Sequence, residues 1–173
     1  MVLVHGDEAL VELDKSFPGC VHIADKLQYT GYVSASGAEP SDYVSNADSE
    51  VLVSVGGGAV GYRLLHTALE VRALGTLDDR TWRFLVGPNL PDKEINQLQI
   101  RAKGLEGVII ERYRQDFLSL LSRCCVSISQ GGYNTIVDIL AARAPAIVVP
   151  FGSDSETEQT QRSRLLGNLG LLK

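Results

Sequence analysis

From Val126 to Gln161 the sequence runs VSISQGGYNTIVDILAARAPAIVVPFGSDSETEQTQ, and it holds the residues best suited to chemistry. Gly131 and Gly132 close an apolar run at a point where the backbone can turn sharply, leaving amides unobstructed by a Cβ. Amides at a helix start, backed by the helix dipole, hold phosphate oxygens without any lysine. Asn134, Thr135 and Asp138 follow in the helix that the turn opens. Further on, Asp154, Glu156, Glu158 and Gln159 gather in one polar loop, where carboxylate and amide oxygens are acceptors suited to hydroxyl groups. A ligand with phosphates at one end and hydroxyls at the other fits this set.

The elements that must position these groups are legible around them. Val126–Ile128 reads as a buried strand. Thr135, Ile136, Ile139 and Leu140 recur at helical spacing until Ala144-Pro145 ends the helix. Ala146–Pro150 is the next strand. In a parallel α/β sheet both strand ends point the same way, so the glycine turn and the polar loop line one crevice. A second unit of this kind starts at Val51–Val55, passes through Gly56, Gly57 and Gly58, and continues as a helix through Tyr62, Leu65, Ala68, Leu69 and Arg72. It has neither the lysine of a G-x-x-x-x-G-K-[ST] loop nor a clean G-x-G-x-x-G. A glycine at a tight strand-to-helix turn also arises for steric reasons alone.

Strands are also expected at Trp82–Val86 and Gly107–Glu111, and helices at Asp92–Lys103, Asp116–Arg123 and Thr160–Lys173, the last with Leu165, Leu166, Leu169 and Leu172 on its apolar side. Strands near 51, 82, 107, 125 and 146, alternating with helices, indicate an α/β fold with a doubly wound, Rossmann-like parallel sheet. Arg112, Tyr113 and Arg114 follow a strand and so lie on its ligand side. The loop Gly87–Pro91 is notable only for its shape. Trp82, the single tryptophan, reads as core. Met1–Gly6 is a short strand without an evident partner, and Val21–Ala24 and Leu27–Val33 are short extended patterns. Ser34–Glu50, small, polar and acidic, reads as a flexible linker or loop.

The totals bound the function. With 173 residues the chain makes one α/β domain and is too short for two of ordinary size. A net charge of −5 disfavours nucleic acid as partner, since neutralising a phosphate backbone needs a basic patch. Cys20, Cys124 and Cys125 are odd in number and adjacent in part, which suits small buried residues in a reducing compartment better than a disulfide. His5, His22 and His66 share no metal-ligand spacing, and a cluster of His5 with Asp7 and Asp14 has nothing to fix its geometry. No apolar run reaches the ~18 residues of a membrane span and no signal pattern opens the chain, so the cytoplasm is expected.

The run from Gly131 to Gln159 resembles the donor-binding segment of GT-B glycosyltransferases of the family-28 type, whose best-known member adds GlcNAc to the lipid-linked peptidoglycan precursor. The likeness extends from about Tyr29 onward, and YTGYV followed by VLVSVGGG is similar to bacterial predicted glycosyltransferases of unassigned substrate. The resemblance implies a nucleoside-diphosphate sugar as donor substrate, UDP-linked, with no further cofactor and no metal. It places the donor ribose on Asp138 and the diphosphate at Gly131 and Gly132, with Asn134 and Thr135 beside them. Gly56, Gly57 and Gly58 then face the diphosphate or the acceptor. It puts the sugar against Glu158 and Gln159 and the uracil against Tyr113 and Arg114, an arginine where the family often has an aliphatic residue.

The same resemblance divides the chain into residues 1–33, the remnant of an N-terminal domain and its connection, the linker 34–50, and a donor-binding domain over residues 51–173. It implies a fragment cut at both ends, a hexosyl or N-acetylhexosaminyl transferase only as the full-length protein and inactive alone. Transfer with inversion is implied by likeness. The catalytic base and the pocket for an unknown acceptor belong to the N-terminal domain of the same polypeptide, through which alone peripheral membrane association is expected. Two rival readings share the fold: a UDP-sugar 2-epimerase, whose carboxylates and histidine for proton abstraction the sequence does not supply, and a non-catalytic donor subunit that needs a partner chain.

Overall fold

A strand inside a parallel sheet is covered on both faces, so its sequence shows a continuous apolar run instead of an alternation. β3 (Val51–Ser54) is buried at all four residues, and β4 (Trp82–Val86) at all but Arg83. The structure is a computed structural model that describes residues 1–8, 12–15, 17–33, 50–57, 60–112, 114–152 and 158–172. Nearly all of the expected linker 34–50 lies outside the described residues.

β5 (Val108–Arg112), β6 (Val126–Gln130) and β7 (Ala146–Val149) complete a five-stranded sheet in the order β5-β4-β3-β6-β7, every pairing parallel. Among the described residues five α-helices connect and flank the strands: α1 (Tyr62–Ala73), α2 (Asp92–Ala102), α3 (Phe117–Leu121), α4 (Tyr133–Ala142) and α5 (Glu158–Asn168). On one face Val51, Val53, Trp82 and Phe84 pack with Leu65 and Leu69 of α1 and Leu98 of α2. On the other, Leu52 and Leu85 pack with Leu121 of α3, Ile136 and Ile139 of α4 and Leu166 of α5. Helices on both faces make the sheet doubly wound, as the alternation of strands and helices predicts. Trp82 is core, with 1% of its surface exposed, stacked near Phe84 and donating from Nε1 to the Leu77 carbonyl.

The strand order decides where a ligand can sit. The chain builds β3, β4 and β5 outward in one direction, then returns to lay β6 on the other side of β3 and β7 beyond it. The direction of winding therefore reverses between β3 and β6, and in such sheets the crevice opens at the carboxyl ends of the two strands that flank the reversal. Those ends carry the two glycine turns.

Several local expectations are corrected. Met1–Gly6 does have a partner: β1 (Val2–Val4) pairs in parallel with β2 (Leu27–Tyr29) in a separate two-stranded sheet. Val21–Ala24 is not extended; it lies in a 3-10 helix over Pro18–Lys26, where proline at the start supplies a φ already suited to a helix. α4 stops at Ala142 because Arg143 turns left-handed at φ 52°, ahead of Ala144-Pro145. The final helix ends at Asn168, so Leu169 and Leu172 lie beyond it, Leu169 half exposed and Leu172 buried in the core.

Candidate functional site

β3 runs out at Ser54 and Val55, and the chain then turns through Gly56 with φ at +64°, a conformation that strains any residue carrying a Cβ. Gly56 and Gly57 are both exposed. The Gly57 carbonyl accepts a 2.7 Å hydrogen bond from Asn89 Nδ2, so the turn is tied to the loop after β4. Gly61 lets α1 start close against the strand, for a Cβ there would stand 2.1 Å from the Cβ of Val55.

The second turn is built differently. Gly131 is buried, and a Cβ on it would meet Ser163 Oγ at 3.2 Å, Gln159 Oε1 at 3.4 Å and Pro150 Cα at 3.4 Å. Gly132 is the N-cap of α4 and provides no side-chain cap. The first-turn amides of α4 therefore lack the usual side-chain partner, at the positive end of the helix dipole. One face of α4 then carries Asn134, Thr135 and Asp138 toward the same space, as residues three and four apart must share a face.

Between the two turns lies a crevice of about 540 Å³, within the range of small-molecule sites. Gly56 and Gly57 form one wall and Asn134, Thr135, Val137 and Asp138 the other. Ser54, Leu85 and Val86 make the floor; Gly87, Pro88, Phe117 and Val33 complete the lining. One part of this surface is amide and hydroxyl, the other apolar. Asp138 is half-buried, and burial pushes its carboxyl above the usual aspartate range; among the described residues it has no hydrogen-bond or ion-pair partner. A carboxylate kept short of water and unpaired is an acceptor waiting for hydroxyl donors.

Gly56, Gly57, Asn134, Thr135 and Asp138 thus come together, and Gly131 and Gly132 stand directly behind them. Gln159 sits next door, its Oε1 accepting a 3.0 Å hydrogen bond from the Phe151 amide beside Gly131. Glu158 is exposed and pairs with Arg162 one helical turn on. Arg114 is not in the lining: Asp116 holds its guanidinium by two bonds of 2.7 Å and Glu111 stands 3.5 Å away. Gly58, Tyr113, Asp154 and Glu156 lie outside the described residues. The sequence reading overlooked Ser54, Leu85, Gly87, Pro88 and Phe117. The signal for the loop Gly87–Asn89 was its place after a strand; that β4 neighbours β3 became visible only with the sheet order.

The N-terminal segment reaches the site through Tyr133, the first residue of α4. Tyr32 stacks on its ring with centroids 5.7 Å apart at 14°, the Val33 amide donates to its hydroxyl at 3.2 Å, and the buried Arg162 guanidinium covers it at 5.3 Å. Elsewhere, His5 bonds Thr30 Oγ1 and His66 stands 3.5 Å from Glu70. Among the described residues no three His, Cys, Asp or Glu side chains gather as metal ligands would, and no helix is long and apolar enough to cross a membrane. The Cys124 thiol donates to the Leu121 carbonyl, and burial pushes it up to about 12.

Residues 52–171 match the family model described as Glycosyltransferase family 28 C-terminal domain. The UDP-N-acetylglucosamine--N-acetylmuramyl-(pentapeptide) pyrophosphoryl-undecaprenol N-acetylglucosamine transferase of Prochlorococcus marinus (strain MIT 9312) is 25% identical over 77 residues, 44% of this chain and 21% of that protein. Of solved structures, the glycotransferase of kitacinnamycin is similar with a TM-score of 0.57 at 20% identity, over 87% of this chain and 36% of that one. MurG of Acinetobacter baumannii gives a TM-score of 0.53 at 17% identity, over 86% of this chain and 42% of that one. These two structural likenesses speak for the fold alone, and the chain spans less than half of each of the three proteins.

Proposed function

The chain belongs to the glycosyltransferase family 28 C-terminal domain family, and from that premise we propose that its crevice binds the donor of a sugar transfer, a nucleoside-diphosphate sugar with UDP as the nucleotide. A hexosyl or N-acetylhexosaminyl group then passes to an acceptor that this chain does not identify. The observation that carries the reading is the meeting of Gly56 and Gly57 with Asn134, Thr135 and Asp138 around one crevice at the reversal of the sheet.

Each part of the crevice has a role in that chemistry. Breaking the bond between the sugar and the diphosphate leaves negative charge on the departing oxygens, and fixed amide dipoles aimed at them stabilise that charge without reorganising. The uncapped first turn of α4 and the open turn at Gly56-Gly57 supply such amides. Asp138 accepts from ribose hydroxyls. The apolar side, with Val86, Pro88 and Phe117, receives the flat face of the base, while Gln159 and Glu158, outside that lining, are assigned to the sugar hydroxyls. The base that deprotonates the acceptor is assigned to an N-terminal domain of the same polypeptide, of which residues 1–33 are read as the end. A cytoplasmic setting goes with this, since Cys20 and Cys124 are buried free thiols that suit a reducing compartment.

Calorimetric titration of this chain with UDP, TDP and GDP, repeated on Asp138→Ala, tests the reading. Selective binding of UDP, weakened about tenfold in the variant, or about 1.4 kcal/mol, is expected. Because Asp138 has no partner to lose among the described residues, the variant is expected to keep its fold. Equal affinity of variant and parent would remove Asp138 from the site, and absence of binding by all three nucleotides would sink the donor reading.

A further inference from the structure

Three serine hydroxyls lie in a row beneath the crevice. Ser127 Oγ and Ser129 Oγ are 2.6 Å apart along β6, and Ser129 Oγ is 2.9 Å from Ser54 Oγ across the β3–β6 pairing. Ser127 and Ser129 are fully buried and Ser54 nearly so, with 4% of its surface exposed. Their neighbours on this face are apolar, Leu52 and Leu85 among them, so the row is a polar thread through a core.

A donor count gives the thread a direction. Each hydroxyl carries one hydrogen and two bonds join the three, so one hydrogen is left over; were both end serines to donate to Ser129, the spare would be stranded on that fully buried middle hydroxyl. If the row runs from Ser54 to Ser127, the spare hydrogen is buried at Ser127, where no acceptor stands among the described residues, and a stranded buried donor is costly. If it runs from Ser127 through Ser129 to Ser54, the spare hydrogen emerges at Ser54, which lines the crevice floor. This last arrangement strands nothing.

We propose that Ser54 is a ligand-binding residue: its hydroxyl, held in one orientation by Ser129 and Ser127, donates into the crevice to an oxygen of the bound molecule. The ligand class, a nucleoside diphosphate, rests on the reading above; the direction of the row does not. Ser129 and Ser127 are then positioning residues, because they fix which way the Ser54 hydrogen points without touching the ligand. They occupy strand positions that the core would otherwise give to valine or isoleucine.

Two measurements on Ser54→Ala and Ser127→Ala test this and separate it from the donor reading. Without ligand, Ser54→Ala traps the spare hydrogen between two buried serines, whereas Ser127→Ala leaves it free to emerge at Ser54. The urea midpoint is therefore expected to fall further in Ser54→Ala than in Ser127→Ala. A fall in Ser127→Ala as large as that in Ser54→Ala, or larger, overturns the proposal even if no nucleotide binds the parent. With UDP, Ser54→Ala is expected to lose about fivefold in affinity and Ser127→Ala less. If the parent binds UDP and Ser54→Ala binds it equally well, Ser54 does not touch the ligand and the proposal fails while the donor reading stands.

Discussion

The two glycine turns that flank the crevice look alike in sequence and are put to different uses in space. After β3, Gly56 and Gly57 are exposed, Gly56 needs a positive φ, and a Cβ on Gly57 would meet nothing within 4 Å. After β6, Gly131 is buried against Pro150 and α5, and α4 begins directly after Gly132. The first pair is open backbone in the crevice wall. The second is a packing device that lets a helix start at the strand end and aim its dipole at the crevice. α1 cannot do the same, since it begins only at Tyr62, after the turn has passed. A glycine turn after a strand is thus two signals in one, and only the helix start tells them apart.

The sharpest way to break this contrast is at Gly61, the residue that docks α1 against β3. A Cβ 2.1 Å from that of Val55 cannot be accommodated without moving the helix. Gly61→Ala is expected to cost about 3 kcal/mol, at the upper end for overpacking, read from urea unfolding. A loss below about 1 kcal/mol would show that the start of α1 is free to shift, and the first turn would then resemble the second more than the structure indicates.

A smaller effect separates the two open glycines from each other. Gly56→Ala forces a Cβ into the left-handed region, at about 1–2 kcal/mol. Gly57→Ala meets no neighbour and is expected to leave the urea midpoint unchanged. Its added methyl projects from a crevice-lining residue, however, so UDP affinity is expected to drop. Calorimetry on Gly57→Ala at constant stability therefore isolates the role of the open wall. Unchanged affinity would confine the ligand to the α4 side.

Much of the fold was legible because parallel strands announce themselves as unbroken apolar runs ending at glycine, as VLVSV and VSIS do. The α4 side of the crevice was legible for the same reason, being contiguous in sequence. Phe117, Pro88 and Leu85 were not, because they join the lining only through the order β5-β4-β3-β6-β7, which no local pattern encodes. Val21–Ala24 misled for a different reason. Three apolar or small residues around His22 fit a strand and a helix equally, and Pro18, three residues ahead, was the better guide. Arg114 has acidic neighbours at Glu111 and Asp116 within three residues, and local pairing there engages the guanidinium.

The most delicate contrast is electrostatic, and it distinguishes the carboxylate wall from the amide wall by pH. Burial raises the Asp138 carboxyl above its ordinary value, and no charged side chain among the described residues opposes it. In the empty protein the ionised form is the penalised one. Any stability this group contributes is present at low pH and is lost as pH rises from the unfolded-state value through the raised folded one. Asp138→Asn, which never ionises, is therefore expected to match the parent in acid and to be slightly more stable near neutrality. In the proposed complex ribose hydroxyls donate to the ionised form, so ligand binding is expected to have the opposite slope. UDP affinity should fall as pH drops through the raised value, sooner than for an ordinary aspartate, and by no more than the tenfold of Asp138→Ala. The diphosphate itself gains protons over part of this range, but it does so equally against Asp138→Asn, so the ratio of the two affinities cancels its contribution. A ratio that narrows toward acid locates the hydroxyl-binding wall at Asp138. A constant ratio would mean that the amides of the two turns hold the nucleotide by themselves.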